Sequence, residues 1–488
     1  MKRKLIASLL ALSMLAMSLA GCGNDSSSGS GTSGSGTESQ SGGGADSDDG
    51  AGVDQDALDQ EADALGLPPM TTDEITLTYA CWGLGENGET QARDKQLAAF
   101  MDAYPNIHVE FVELTQGDPD WTNGLVALAA EGKLPDVFWT YSVTNAVANE
   151  WALDVTEYYE NDPDAKEVYS GLVEASRLNG KLYSMPTVMF PYMVFLNKSL
   201  FEKYNEPLPS YDWTIDEFKA IAERISHEDE FYFGTSQPNY VDYFLCQYNK
   251  GQSQRGWDGE AYHFSQTWAD ALNLKYDWID NGTLEWESAE DKLKWLGDEG
   301  AWPPGKGRSA MHFDWSWTVS FFEETVAAET GMEFLYYPQP AGPTGQQMAI
   351  VDFGVISAAT EHPREAWELQ KWTSWGKEAC LNRYEGYKEA GLKAVSRMPV
   401  IDNAEVWDVV KSFTEGREDF NAVYDHMTDI VPTCSSVAPG WSEFDTWCNE
   451  NDIWGQLDGR EIKPEDIAAD MEQKANEFRD EWLSKYAK

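Results

Sequence analysis

The chain has 488 residues, 42% apolar and 13% aromatic. That is enough for a large core and for roughly two to four domain-sized units. Its formal charge is −49, from 35 Lys+Arg against 84 Asp+Glu; such a surface repels nucleic-acid phosphates and anionic lipid heads and suits a neutral or cationic ligand.

In chain order, the first feature is an export signal. Lys2, Arg3 and Lys4 precede Leu5 to Leu19, an apolar run broken by serines and too short for a comfortable membrane span. "LAGC", Leu19 to Cys22, then resembles the lipobox of bacterial lipoproteins. That resemblance implies a signal peptide over 1–21, lipid on Cys22 and a place on the extracytoplasmic face of the cell membrane. Residues 22–72 are rich in Ser, Gly and acids and form an expected flexible tether with an average reach of roughly 35–40 Å. No other run of eighteen apolar residues occurs, so nothing suggests a permease.

Five cysteines follow Cys22, an odd number that argues against a disulfide scaffold, with a Cys434–Cys448 pair left open. There is no CxxC and the six histidines are scattered, so neither a metal site nor a cofactor is expected.

"ITLTYA" (75–80) alternates like a strand. In the next segment Leu97, Phe100, Met101 and Tyr104 share one helical face, stopped by Pro105. "IHVEFVEL", "WTNGLVALAAEG" and "PDVFWTY" read as strand, helix and strand. This order implies parallel pairing with ligand at the carboxyl ends of the strands, where Trp82, Thr115, Gln116, Trp139 and Tyr141 would stand.

"GKLYSMPTVMFPYMVFLNKSLFEKY" (180–204) holds two prolines in a strand-like run, which suits a passage between lobes better than a central strand. Thr214 and Glu217 have capping-box spacing ahead of the stripe Ile215, Phe218, Ile221, Ala222 and Ile225. "MHFDWSWTV" (311–319) is an alternating strand candidate. Met311, Phe313, Trp315 and Trp317 would then share one face, and His312, Asp314 and Ser316 the other. "MAIVDFGVISAAT" is another strand-like run. "HPREAWELQKWTSWG" turns Ala366, Leu369 and Trp372 inward, and the closing helix behind Pro464 carries Ile467, Met471, Phe478 and Trp482 on one side.

"LAAEGKLPDVFW", "GKLYSMP…FLNKSLFEKY…WTIDEF", "GRSAMHFDWSWT" and "PEDIAADMEQKANEF", behind a lipobox and tether, resemble the family 1 extracellular solute-binding proteins of ABC importers, the maltose and multiple-sugar group. The resemblance covers about residues 73–488. It implies a periplasmic-binding-protein-like α/β fold of two lobes joined by several crossing segments near Phe190, Val351 and Glu385, with ligand between them. By the family's order, lobe one holds 73–190 and 350–380, and lobe two holds 191–349 and 381–488. It further implies no enzymatic activity, a carbohydrate ligand and a partnership with ABC permease transmembrane subunits. The expected protein is a monomer held to the membrane through Cys22, with no nucleic-acid partner.

The residues carried over as ligand-binding are Trp82, Gln237, Tyr240, Asp314, Trp315, Trp317 and Trp441, with Asp352 and Phe353 carried over less directly; Trp139 and Tyr141 join them from the strand ends. Which of Trp315 and Trp317 stacks on ligand is open. Aromatic rings cover the C–H face of a pyranose and carboxylates or amides meet its hydroxyl edge, so an aspartate flanked by tryptophans suits a sugar. Two other classes fit the composition. One is a surface glycoside hydrolase built on two carboxylates. The other is a binding protein for a polyamine or peptide.

Overall fold

The computed structural model describes residues 60, 62, 64–85, 88–236, 245–285, 288–427 and 429–487. Cys22, the tether up to residue 59, Gln237 and Tyr240 lie outside the described residues.

The stretch from Ile75 to Thr140 delivers the expected alternation. Strand β1 (Ile75–Ala80), helix α1 (Glu89–Ala103), β2 (Ile107–Phe111), α2 (Asp120–Ala130) and β3 (Val137–Thr140) follow one another, and β1 pairs in parallel with both β2 and β3. Then come β4 (Met185–Asn197), α3 (Ile215–Ile225), β5 (Phe233–Ser236), α4 (Gln266–Asp280), α5 (Ala289–Leu296), β6 (Ser309–Trp315), β7 (Phe334–Tyr337) and β8 (Gln347–Ile356). The chain closes with α6 (Pro363–Thr373), α7 (Lys377–Glu389), β9 (Ile430–Pro432), α8 (Trp441–Glu450) and α9 (Pro464–Tyr486). Further helices, among them Ala404–Ser412 and Glu418–Asp425, and helical turns connect these elements.

The strands form one mixed sheet in the order β2-β1-β3-β8-β4-β6-β5, with β9 added to β8 and β7 to β4. Strand β4 is the spine of this sheet. It is thirteen residues long, buried at every position, and contains both prolines. It is therefore a central strand as well as a passage, which the sequence reading did not expect. Both prolines sit where a missing N–H is tolerated. Pro186 faces the register shift between Asp352 and Phe353. Pro191 ends the pairing with β8, and Tyr192 begins the pairing with β6.

Two large clusters of buried apolar side chains flank the spine. The first gathers β1, β3 and β8 with Trp367, Trp375, Tyr384, Tyr387 and Val406 to Tyr424. The second gathers α3, α4 and β6 with Phe444, Ile453 and Met471. Residues 381–427, allotted by family order to lobe two, thus pack with the first cluster. The physical reason is close helix contact. A Cβ on Gly386 of α7 would lie 2.6 Å from the Ala92 nitrogen of α1, so only a glycine lets the two backbones touch.

Local signals hold elsewhere. Thr214 Oγ1 accepts from the Glu217 N–H at 3.2 Å and Glu217 accepts from the Thr214 N–H at 2.8 Å, completing the capping box. In α6, Trp367 is fully buried and Trp372 only half-buried, because this helix is covered on several sides. Cys434 and Cys448 are both buried thiols, and no disulfide joins them. Among the described residues no helix is long and apolar enough to cross a membrane, and no group of three His, Cys, Asp or Glu side chains could hold a metal ion.

Candidate functional site

The carboxyl ends of β1 and β3 bring Trp82 and Tyr141 together. Their rings lie flat on each other, centroids 4.2 Å apart and 3° from parallel. Trp121 and Trp139 meet Trp82 edge-on at 5.3 and 5.2 Å, and the Trp121 indole N–H donates to the Trp139 carbonyl at 3.0 Å. Trp82 is thus wedged on three sides and only 7% exposed. Its indole N–H donates to Asp352 Oδ2 at 3.0 Å. The ring expected to bind ligand also holds a carboxylate.

Asp352 lies on β8 opposite Val188 of β4, and Ile350 lies opposite Phe190. Cross-strand partners share a face, so Val188, Phe190, Ile350 and Asp352 line one side of the spine. Past Pro191 the same face continues into the pair Tyr192–Trp315, whose rings are 4.5 Å apart. Strand β6 ends at Trp315 and turns, so Trp317 sits in a helical turn and not on the strand. From there it reaches Phe190 at 5.0 Å and Trp315 at 5.8 Å. Trp317 is 40% exposed and Trp315 is half-buried, so Trp317 offers the larger free ring face.

Burial pushes the Asp352 carboxyl up from its ordinary 3.8 to about 6; the Arg397 charge and the Trp82 hydrogen bond hold it back from rising further. Arg397 comes from the segment after α7 and was not foreseen. Its guanidinium lies 5.8 Å from the Trp139 ring centre and 5.7 Å from that of Phe190. Nη1 donates to Glu89 Oε2 at 2.9 Å, and the Tyr387 hydroxyl donates to the other Glu89 oxygen. Gly83 shows why that guanidinium fits beside the first strand. Its φ is +85°, and a Cβ there would come within 2.1 Å of Arg397 Nη2. A lone arginine in the apolar stretch Ala394–Ile401 of so acidic a chain was the available signal.

The other carried-over residues stand apart from this face. Trp139 is buried beneath Trp82. Phe353 points away from Asp352 into the core, opposite Thr140 on β3. Asp314 accepts from His312 Nε2 at 3.1 Å and from the Trp315 N–H at 2.8 Å, while His312 Nδ1 meets Ser236 Oγ at 2.5 Å, so its carboxylate is tied into the sheet. Trp441 starts α8 within the second cluster, 5.4 Å from the Arg255 guanidinium. A hollow of about 840 Å³ opens elsewhere, lined by Tyr169, Arg177, Trp257 and Pro432 among others and by none of the residues of the aromatic face.

The family model for bacterial extracellular solute-binding proteins matches residues 86–373, more than half of the chain. The chain belongs to that family. Solved structures place its fold with the solute-binding proteins of ABC transporters. An ABC substrate-binding protein from Listeria monocytogenes, solved in complex with cycloalternan, is 19% identical with a TM-score of 0.60, covering 83% of this chain and 99% of its own. A sugar transporter protein from Rhizobium etli in an open conformation is 17% identical with a TM-score of 0.64, covering 82% and 99%. A cyclo/maltodextrin-binding protein complexed with maltotetraose is 17% identical with a TM-score of 0.60, covering 82% and 96%. A protein of Brucella abortus (strain 2308) assigned as a binding protein is 21% identical over 323 residues, 61% of this chain and 70% of its own. The family and these relatives are binding proteins and not enzymes. Trp82 and Arg397 both lie outside the stretch that the family model matches.

Proposed function

We propose that this protein captures a carbohydrate, an oligosaccharide, on the face running from Asp352 to Trp317, and hands it to the permease subunits of an ABC importer. One observation carries the reading. An exposed indole, Trp317, in the turn after β6, and a nearly buried carboxylate, Asp352, on β8 are linked through Phe190 and Arg397. The indole suits the C–H face of a sugar ring, and the carboxylate accepts from its hydroxyls. The Listeria and maltodextrin-binding relatives, solved with oligosaccharides, support this class of ligand. Ligand touching both sides of β4 and β8 would favour a closed arrangement of the halves, a population shift driven by contacts made only when closed. Lipid on Cys22 would keep a monomer beside its permease.

The test is calorimetry with maltotetraose, xylotetraose and cellotetraose, followed by analysis for cleavage products. Saturable binding without turnover is expected. Trp317→Ala should weaken it by about tenfold or more while leaving the melting temperature within a degree or so, because the ring is largely outside the core. Product sugars, or unchanged affinity in Trp317→Ala, would overturn the reading. Mass spectrometry of membrane fractions tests the anchor: Cys22→Ala should lose the lipid and release the protein.

A further inference from the structure

The hydrogen bonds of the two buried charged groups facing each other near Trp82 do not balance. Arg397 spends Nη1 on Glu89, and among the described residues Nε and Nη2 have no hydrogen-bond partner. Asp352 spends Oδ2 on Trp82, and among the described residues Oδ1 has none. Both side chains are more than nine-tenths buried. None of these three atoms is among the fully buried polar atoms that lack a partner, so each still reaches accessible space where a hydroxyl can meet it. The two do not satisfy each other either. Each senses the other's charge, yet among the described residues no ion pair within 4.0 Å joins them. Donors and an acceptor without protein partners thus stand close enough to feel each other's charge but not close enough to pair.

We infer that Arg397 and Asp352 form a donor–acceptor clamp for one sugar unit, taking a neutral ring with two adjacent free hydroxyls and turning away uronates and amino sugars. The inference rests on the carbohydrate reading above. A hydroxyl both donates and accepts, so one can give its proton to Asp352 Oδ1 while its neighbour accepts from Arg397 Nη2. A uronate carboxylate would pair with Arg397 but stand against Asp352. An ammonium would pair with Asp352 but stand against Arg397. In a site this dry, either like-charge approach is penalised far more than in water. Glu89 is a positioning residue: with Tyr387 it anchors Nη1 and leaves Nη2 turned against Gly83, at the end of the first strand. A side chain at position 83 would occupy the place of that nitrogen.

The experiment compares the neutral tetrasaccharides named above with tetragalacturonate and the chitosan tetramer, by calorimetry on the full chain. Wild type should bind a neutral tetrasaccharide at least about tenfold more tightly than either charged one. Arg397→Gln should weaken the neutral ligand by about tenfold and shift preference toward the chitosan tetramer. Because Arg397→Gln leaves Glu89 buried without its partner, Glu89→Gln/Arg397→Gln serves as a second variant free of that burden, and the same shift is expected. Asp352→Asn should shift preference toward tetragalacturonate. Neutral-ligand affinity within twofold of wild type in both arginine variants overturns the clamp, as does wild type preferring a charged tetramer. If Trp317→Ala loses affinity while the arginine variants keep it, the clamp alone falls. If wild type binds no oligosaccharide, the carbohydrate reading falls with it.

Discussion

Asp352→Asn tests whether this face of the sheet holds a charge at the expense of stability. Burial raises the Asp352 carboxyl from 3.8 to about 6 in the folded protein. Between those values the folded state keeps a proton that the unfolded chain gives up. Stability therefore falls as pH rises through this window, and the whole cost is present above about pH 6. A shift of about two units corresponds to roughly 3 kcal/mol. Asparagine removes the charge and keeps an amide oxygen to accept from the Trp82 N–H. Urea unfolding of the ligand-free variant at pH 7.5 should show a gain approaching that value, with an unchanged m-value. At about pH 3, below the unfolded value as well, the gain should nearly vanish, because wild type is then mostly protonated in both states. A gain of equal size at both pH values, or a loss at pH 7.5, would refute the reasoning. A residue that costs stability in the ligand-free protein is expected where binding needs it.

Trp82→Phe keeps a ring against Tyr141 but removes the donor to Asp352, so the Asp352 titration followed by carboxyl NMR should move to higher pH than in wild type. Glu89→Ala strips the partner from a buried guanidinium and should cost about 3–5 kcal/mol by chemical denaturation. Gly83→Ala puts a Cβ at φ +85° and against Arg397, and should lower stability by about 1–3 kcal/mol, read as a fall in the denaturation midpoint.

Parts of the site were readable in the residues and parts were not. Trp82, Tyr141, Asp352, Trp315 and Trp317 were all named beforehand and all stand on one connected cluster. The contacts of Trp82 were not readable: it stacks on Tyr141 and bonds to Asp352, far away in the chain. Strand alternation put Trp315 and Trp317 on one face, yet the strand stops at Trp315, and the turn is what frees Trp317. Asp314 looked like a ligand carboxylate because tryptophans flank it. Its partners are His312, from the same strand, and the backbone of Trp315.

The sequence by itself determined the elements whose burial repeats within a few residues: the β1–α1–β2–α2–β3 run, the capped helix behind Thr214, and the family to which the chain belongs. Those patterns depend on local periodicity, which any strand or helix with one buried face must show. Tertiary structure alone decided which residues meet at the candidate site, because its pairs are distant in the chain. Trp82 bonds to a carboxylate 270 positions away, and Glu89 to a guanidinium 308 positions away. It also decided that β4 could carry two prolines through the middle of a sheet, since only the neighbouring strands show where a backbone N–H is not needed.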